Sequence, residues 1–354
     1  MAQQIEILEA RALGALLGMA VGDALGTTYE FERIEQAPYP ALATGPATDV
    51  VGGGPFGLEA GQVTDDTQMA VCIARSVLAR EGRGFDRLDR ADLAKRYVEW
   101  YQHAFDVGNQ TASALRLIED GGDLSSAGRR VWHASGRRAA GNGSLMRAAP
   151  IGVLMAHEER VEVLVEAALT DSLLTHADPR CAIACAMFDA AIAAGVMGSD
   201  QLAAARTALP VAANRLRELW QDDRDDLAAI DSAERDVQRD MEAATADEPG
   251  VYGAELDVHR TAGFVRVAFR LACWHLVHTP SWRDAVVDVA SRGGDADTNA
   301  AIVGALLGSR DGAAAIPRAW IDRVLEATQP GPPDWAEAHH PKHLLPLARL
   351  AVPR

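Results

Sequence analysis

Two stretches of this chain concentrate acids where helices begin. Thr64-Asp65-Asp66-Thr67 follows a glycine-rich loop ending Gly61-Gln62-Val63 and opens onto the apolar run Gln68-Met69-Ala70-Val71-Cys72-Ile73. Far along the chain, Gly293-Gly294-Asp295-Ala296-Asp297-Thr298 repeats the arrangement ahead of Asn299-Ala300-Ala301-Ile302-Val303-Gly304. Either stretch alone is ordinary helix-start chemistry, and Asp65 to Gln68 even has capping-box spacing. The repetition suggests a site. Thr64, Asp65, Asp66, Asp295, Asp297 and Thr298 together form a hard, all-oxygen ligand set suited to Mg²⁺ or Mn²⁺, and shared carboxylates can bridge two such ions. Nothing in the set resembles zinc coordination.

Three further elements carry polar groups at turns. Gly22-Asp23-Ala24-Leu25-Gly26-Thr27-Thr28-Tyr29-Glu30 ends a helical pattern in a turn bearing an acid, although Glu30 by itself reads as a surface glutamate. Gly141-Asn142-Gly143-Ser144-Leu145-Met146-Arg147 reads as a turn entering a helix, whose free N–H groups can cradle a phosphate, or as a plain Asn-Gly turn. His176 lies between Thr175 and Asp178-Pro179, in a connection between helices where a lone histidine is often structural.

The elements that must position these groups are helices. Alanine and leucine recur at spacings of three and four, and no sustained alternation of Val, Ile and Thr appears, so the expected fold is all-α, a single globular multi-helix orthogonal bundle over residues 1–354. Expected helices beside the motifs run from Leu8 to Ala24, Gln68 to Arg80, Gly143 to His157, Arg160 to Thr175, Thr261 to His275 and Thr298 to Leu307. No period of solenoid type is present. Residues 221–248 are strongly acidic and are expected to form a solvated helical hairpin, an insertion in the core. The glycine-rich loops from Glu32 to Val63 and from Asp120 to Asn142 are long enough to be sought as ligand-binding segments.

Composition narrows the function. The 354 residues hold 34 basic and 50 acidic side chains, a formal net charge of -16, which disfavours a nucleic-acid backbone or an anionic membrane as the main partner. The apolar run Ala12 to Leu25 is short and is interrupted by Asp23, so neither a signal peptide nor a membrane span is expected. Cys72, Cys181, Cys185 and Cys273 fall inside apolar helical patterns and are expected to be reduced, buried hydrophobes of a cytoplasmic protein. Two apparent phosphate motifs fail. Gly52, Gly54 and Gly57 have dinucleotide spacing without a strand before them or a helix after, and Gly136 to Gly141 has P-loop spacing with Asn142 where lysine is needed.

In chain order, Gly22 to Gly26 with Glu30, Thr64 to Thr67, Gly141 to Arg147, Thr175-His176 and Gly293 to Thr298 resemble the ADP-ribosylglycohydrolase family, including the dinitrogenase-reductase-activating glycohydrolases. The resemblance spans about residues 10–312. It implies an all-α fold with two divalent cations, Mg²⁺ or Mn²⁺, that hydrolyses the bond joining ADP-ribose to a side chain. Carried over, Thr64, Asp65, Asp66, Asp295, Asp297 and Thr298 correspond to metal ligands. Glu30 matches the acid near the scissile bond, Asp66 joins it among the catalytic acids, and Asp106 resembles an acid placed near the guanidinium in arginine-type relatives. Gly141, Asn142, Gly143 and Ser144 match the ADP-ribose loop, and His176 a ligand-contacting histidine. Phe264 stands where a tyrosine is frequent, keeping a ring for stacking. Ala139 and Ala140 replace the aromatic residue often found before the Gly-Asn-Gly turn, with Trp132 or His133 as candidate substitutes.

The resemblance therefore implies metal-dependent hydrolysis of ADP-ribosyl-arginine, on an ADP-ribosylated protein or a small ADP-ribose conjugate; a monomer is expected. Its transition state has oxocarbenium character, and Glu30 is expected to move a proton while amides near Ser144 hold the diphosphate. Alternatives are another ADP-ribose linkage (serine, O-acetyl or small-molecule), a non-catalytic ADP-ribose binder, or a structural or toxin-blocking protein on a retired enzyme scaffold. The retained acids, Glu30 above all, disfavour the last two.

Overall fold

The fold is described from a computed structural model, in which residues 2–80, 88–246 and 257–352 can be described. These residues form helices and no strand beyond isolated bridges, as the periodicity predicts. The α-helices are α1 (Ala2–Gly26), α2 (Asp65–Leu78), α3 (Arg90–Tyr101), α4 (Asn109–Glu119), α5 (Ala127–Ala134), α6 (Ala149–Leu154), α7 (Val161–Thr175), α8 (Pro179–Met197), α9 (Gln201–Leu219), α10 (Arg224–Thr245), α11 (Val265–His278), α12 (Trp282–Ala290), α13 (Ala296–Asp311), α14 (Arg318–Glu326), α15 (Pro333–Ala338) and α16 (Leu345–Leu350).

α1 and α13 run antiparallel at backbone contact and form the spine of the molecule. Glycines recur every fourth residue along one face of α1, and a β-carbon added at Gly14, Gly18, Gly22 or Gly26 would stand 2.2, 2.2, 2.2 or 2.3 Å from the carbonyl oxygen of Gly308, Gly304, Ala300 or Ala296. Small residues at a four-residue repeat let two helix backbones approach this closely, and side chains would hold them apart. The Trp282 indole N–H donates to the Gly304 carbonyl at 2.9 Å and seals one side of the contact. Because the pair is antiparallel, the end of α1 arrives at the start of α13. Both motif-bearing turns meet there.

α8 is buried along almost its whole length. Asp178 caps it by accepting from the Arg180 amide at 2.9 Å, Pro179 occupies its first turn, and Gly198 ends it in the left-handed region at φ 74°. By length and apolarity alone it is long enough to cross a bilayer, yet 83% of that window is buried among the other helices, as befits a core helix that is apolar on all sides. All four cysteines are free and buried, as expected.

Two expectations change. No helix begins at Gly143; residues 143–147 form successive turns and α6 starts at Ala149. Pro150 lacks the amide that would bond the Met146 carbonyl, so a continuous helix is interrupted and a new one starts with proline in its first turn. The acidic segment is a packed amphipathic helix instead of a solvated hairpin. In α10, Ile230, Ala233, Val237, Met241 and Ala244 are buried, Asp226 is paired with Arg129, His133 and Arg137, and Asp240 with Arg266; residues 247 and 248 of that segment lie outside the described residues. The loop from Glu32 onward is pinned to the protein body: Arg292 donates to the carbonyls of Ala37 and Ala41 at 3.0 and 2.9 Å, and Tyr39 donates to Asp288 at 2.8 Å.

Candidate active site

Glu30 follows directly on α1 and the short 3-10 turn Thr27–Tyr29, and its side chain reaches the start of α13. Its carboxylate accepts the Ala296 amide at 2.6 Å and the Asp297 amide at 3.4 Å. It therefore serves as a cap supplied from 266 residues away, with its oxygen at the positive end of the helix. Asp295 holds the N-cap position yet makes no side-chain cap bond; its carboxylate instead accepts from the Asn142 amide group at 2.6 Å. The approach is held by antiparallel pairing of Arg33 with Gly293, and by Phe31 N–H donating to the Gly294 carbonyl at 2.7 Å. Gly293 and Gly294 adopt φ 69° and 73°, and a β-carbon on Gly293 would lie 2.2 Å from the Glu32 carbonyl oxygen, so glycine is required there.

α2 begins in the same way. Thr64 is the N-cap by position, but its hydroxyl makes no cap bond and lies 3.0 Å from both Asp23 Oδ1 and Asp66 Oδ2. Gln68, which the spacing suggested for a capping box, donates to the Val63 carbonyl and accepts from the Trp100 indole. Capping therefore does not account for either acidic motif. Asp23, fully buried in α1, accepts from the Thr64 amide at 3.1 Å, the Thr67 amide at 3.2 Å and the Thr67 hydroxyl at 2.5 Å, tying the two helices together. Thr298 donates across to Asp66 Oδ2 at 3.3 Å.

The acids converge in two overlapping groups. One ligand atom from each of Asp23, Asp66 and Asp297 lies within 4.8 Å of the others, and the same holds for Glu30, Asp295 and Asp297. Asp297 belongs to both. Asp66 Oδ1 is buried with no hydrogen-bond partner, a costly state for a carboxylate unless a cation meets it. Burial, followed by Asp297 and Asp23, drives Asp66 far above the usual carboxyl range; burial, then Asp106 and Asp297, does the same to Asp65. Burial also raises Asp297 far above that range, and burial with Asp297 and Asp295 beside it raises Glu30. Asp23 is pushed up to about 6 by burial against the pull of its threonine bonds. Like charges this close resist ionising together, and divalent cations relieve that repulsion. Hard oxygen donors, an orphaned carboxylate oxygen and a surplus of negative charge suit Mg²⁺ or Mn²⁺.

A cavity of about 310 Å³ opens over these acids. Glu30, Asp65, Asp106, Gly141, Asn142, Gly143, His176, Asp295, Asp297 and Thr298 line it, while Thr64 and Asp66 lie buried beneath. Asp106 is pushed up to about 7 by burial, with Asp23 and Asp295 adding. The Asn142 amide donates to the Gly263 carbonyl and Gly141 pairs with Phe264, which suspends the 141–144 turn at the rim. Among the described residues, the amides of Gly143 and Ser144 find no acceptor within the chain. The Ser144 side chain points elsewhere, accepting from the Ser172 hydroxyl at 3.0 Å and the Cys185 thiol at 3.4 Å.

Phe264 is outside this cavity. It lines an adjoining open groove of about 460 Å³ with Arg138, Arg180 and Thr261, and Gly141 and Gly263 border both spaces. The guanidinium groups of Arg180 and Arg266 stand 5.3 and 5.9 Å from the Phe264 ring centroid. Trp132 is unavailable to a ligand, being fully buried, stacked on Trp220 and bonded to Asp178 at 2.9 Å. His133 is engaged by Asp226. Sequence reasoning gave no role to Asp23 or Gln110. Gln110 lines the cavity and accepts from the Gly141 amide at 3.2 Å. Asp23 carries a signal only through its place within Gly22 to Gly26.

Residues 4–351 match the family model described as ADP-ribosylglycohydrolase. The chain is 30% identical over 323 residues to the ADP-ribosylarginine hydrolase Tri1 of Pseudomonas putida (strain GB-1), covering 89% of this chain and 74% of the relative. It is 27% identical over 316 residues to the ADP-ribosyl-[dinitrogen reductase] glycohydrolase of Rhodospirillum rubrum, covering 89% and 90% respectively. A solved structure titled ADP-ribosylglycohydrolase-related protein complex superposes with a TM-score of 0.66 at 26% identity, over 98% of this chain and 100% of that one.

Proposed function

The chain belongs to the ADP-ribosylglycohydrolase family, and from that premise we propose that it hydrolyses the N-glycosidic bond between ADP-ribose and a protein arginine, using two divalent cations, Mg²⁺ or Mn²⁺. Action on glycosidic bonds of ADP-ribose comes with the family. The arginine linkage is supported by the relatives whose names carry it. The observation that carries the metal reading is Asp66 Oδ1, buried and unpartnered, in a pair of acid groups that share Asp297.

In this reading Thr64, Asp65, Asp66, Asp295, Asp297 and Thr298 hold the cations, and Asp23 orients Thr64 and Thr67 around them. Bound there, the cations supply Lewis acidity that lowers the pKa of a water and orients sugar hydroxyls. Glu30, fixed on the amides of Ala296 and Asp297, carries a proton for the reacting centre. Its anchoring keeps the carboxyl in place while positive charge develops on the ribose. Asp106 faces the leaving arginine. A guanidinium beside it draws that carboxyl back toward ionisation, which pairs the leaving group as it departs. The unpartnered amides of Gly143 and Ser144 receive the diphosphate, and the groove at Phe264 receives adenine, where base–aromatic stacking is sequence-independent and favourable.

The test is a pair of substitutions. Asp66→Ala and Asp297→Ala abolish release of ADP-ribose from an arginine-modified protein while leaving helical circular dichroism unchanged. Retained turnover in both purified variants contradicts the two-cation reading.

A further inference from the structure

Arg147 is fully buried, an expensive place for a charge, and its bonds show what holds it. Nε donates to Asp171 Oδ2 at 3.0 Å, Nη1 to the Gly143 carbonyl at 3.3 Å, and Nη2 to the Asp171 carbonyl at 3.2 Å and to Thr175 Oγ1 at 2.9 Å. The Tyr97 ring lies 4.6 Å beneath the guanidinium, and the Tyr97 hydroxyl donates to Asp171 Oδ1 at 2.7 Å. The guanidinium is therefore fixed from every side. Thr175 Oγ1 also lies 2.8 Å from His176 Nδ1.

A hydroxyl carries one proton and arginine can only donate. With Arg147 occupying one acceptor site of Thr175, the hydroxyl proton has a single recorded acceptor, His176 Nδ1. A bare Nδ1 is the arrangement that gives this buried hydroxyl proton an acceptor. Burial, with the Arg147 charge adding, pushes His176 well below the usual histidine value, so the ring is neutral and its one proton sits on Nε2. Nε2 points toward the cavity: a β-carbon on Gly141 would lie 3.4 Å from it and one on Gly143 2.9 Å. Among the described residues it has no partner within the chain, and His176 lines the cavity.

We propose that Arg147 is a positioning residue, which acts through the Thr175 hydroxyl to hold His176 as an Nε2–H donor toward an oxygen of the bound ligand. The ligand half rests on the ADP-ribose reading; the tautomer half does not. A donor at this corner adds to the free amide of Gly143, so one end of an acid-lined cavity offers N–H groups to an anion. The other neutral tautomer would present a lone pair there and repel a phosphate oxygen.

The experiment uses the full chain with ¹⁵N-labelled histidine, compared with Thr175→Val, Thr175→Ser and, to identify the resonance, His176→Asn. Long-range ¹⁵N–¹H correlation spectra at neutral pH should show protonated Nε2 and bare Nδ1 in the parent and in Thr175→Ser, and a mixture of tautomers in Thr175→Val. Calorimetric affinity for ADP-ribose, with thermal unfolding as the check on folding, should fall about tenfold in Thr175→Val, the scale of one hydrogen bond, and recover in Thr175→Ser. A proton on Nδ1 in the parent, or an undisturbed tautomer in Thr175→Val, overturns the positioning role. Unchanged affinity despite a mixed tautomer overturns the donor role. An Nε2–H parent that binds no ADP-ribose contradicts the ligand reading of the site and leaves the Arg147–Thr175 assignment standing.

Discussion

Gly18 of α1 and Gly304 of α13 face each other so closely that a β-carbon on either would stand 2.2 Å from the other's carbonyl oxygen. This contact, repeated one turn away at Gly22 with Ala300 and at Gly14 with Gly308, sets the distance between the helix ends that carry Asp23 and Asp297. The site is thus as dependent on residues with no side chain as on its carboxylates.

Gly18→Ala should accordingly destabilise the protein. Alanine returns ~1 kcal/mol of helix propensity, but overpacking typically costs about 1–3 kcal/mol, and a backbone carbonyl cannot move aside as a side chain can. The net loss expected in urea unfolding is about 2 kcal/mol, with weaker Mn²⁺ binding as the helix ends separate. Unchanged stability contradicts the close-contact account.

Glu30→Gln keeps an oxygen acceptor for the Ala296 and Asp297 amides and removes the transferable proton. Turnover should fall by roughly 10²- to 10⁴-fold, the usual worth of a positioned acid–base group. Affinity for ADP-ribose should remain within about threefold, since one hydrogen bond or less is altered. A parallel loss of binding and turnover makes Glu30 a binding residue instead.

Phe264→Ala tests the adenine groove. Loss of a stacking face is worth about 1–3 kcal/mol per base, so ADP-ribose should bind about tenfold more weakly, and ribose 5-phosphate, which has no base, should be unaffected. Equal losses for both ligands place adenine elsewhere.

Asp288 gives a pH signature far from the chemistry. Burial alone would raise its carboxyl, but hydrogen bonds from His275 and Arg292 outweigh burial and bring it down to about 2. A carboxyl held below its unfolded value stabilises the fold above that value, and the contribution is lost as pH falls through the folded value. The stability difference between the parent and Asp288→Asn should therefore shrink by about 2 kcal/mol as pH falls from about 4 toward 2 in urea titrations. A difference that stays constant over that window excludes the pairing.

Much of this was readable from the sequence because its signals are local. The two acidic helix starts, the Gly-Asn-Gly turn and Glu30 are contiguous motifs, and the structure gathers Glu30, Asp65, Asp106, Asn142, His176, Asp295 and Asp297 around one cavity. What stayed hidden depends on partners distant in sequence. The four-residue glycine spacing of α1 is visible at Gly14, Gly18 and Gly22, but that it meets Ala300, Gly304 and Gly308 is a tertiary fact. Asp23 looks like any helix acid until Thr64 and Thr67 are seen donating to it. The acidity of α10 suggested solvation because its cations, Arg129, Arg137 and Arg266, come from other segments. Pro150 was the overlooked local signal: it delays the helix expected at Gly143 and leaves the amides of Gly143 and Ser144 in a turn.

Metal-dependent release of ADP-ribose from arginine is the activity most directly measured. The direct measurement incubates the protein with an arginine-ADP-ribosylated protein and, separately, a serine-linked one, with Mg²⁺, with Mn²⁺ and with a chelator, and quantifies free ADP-ribose. The account predicts release from the arginine-linked substrate with either ion, none with the chelator, and little from the serine-linked substrate. Release that persists in chelator, or that is confined to the serine-linked substrate, contradicts it.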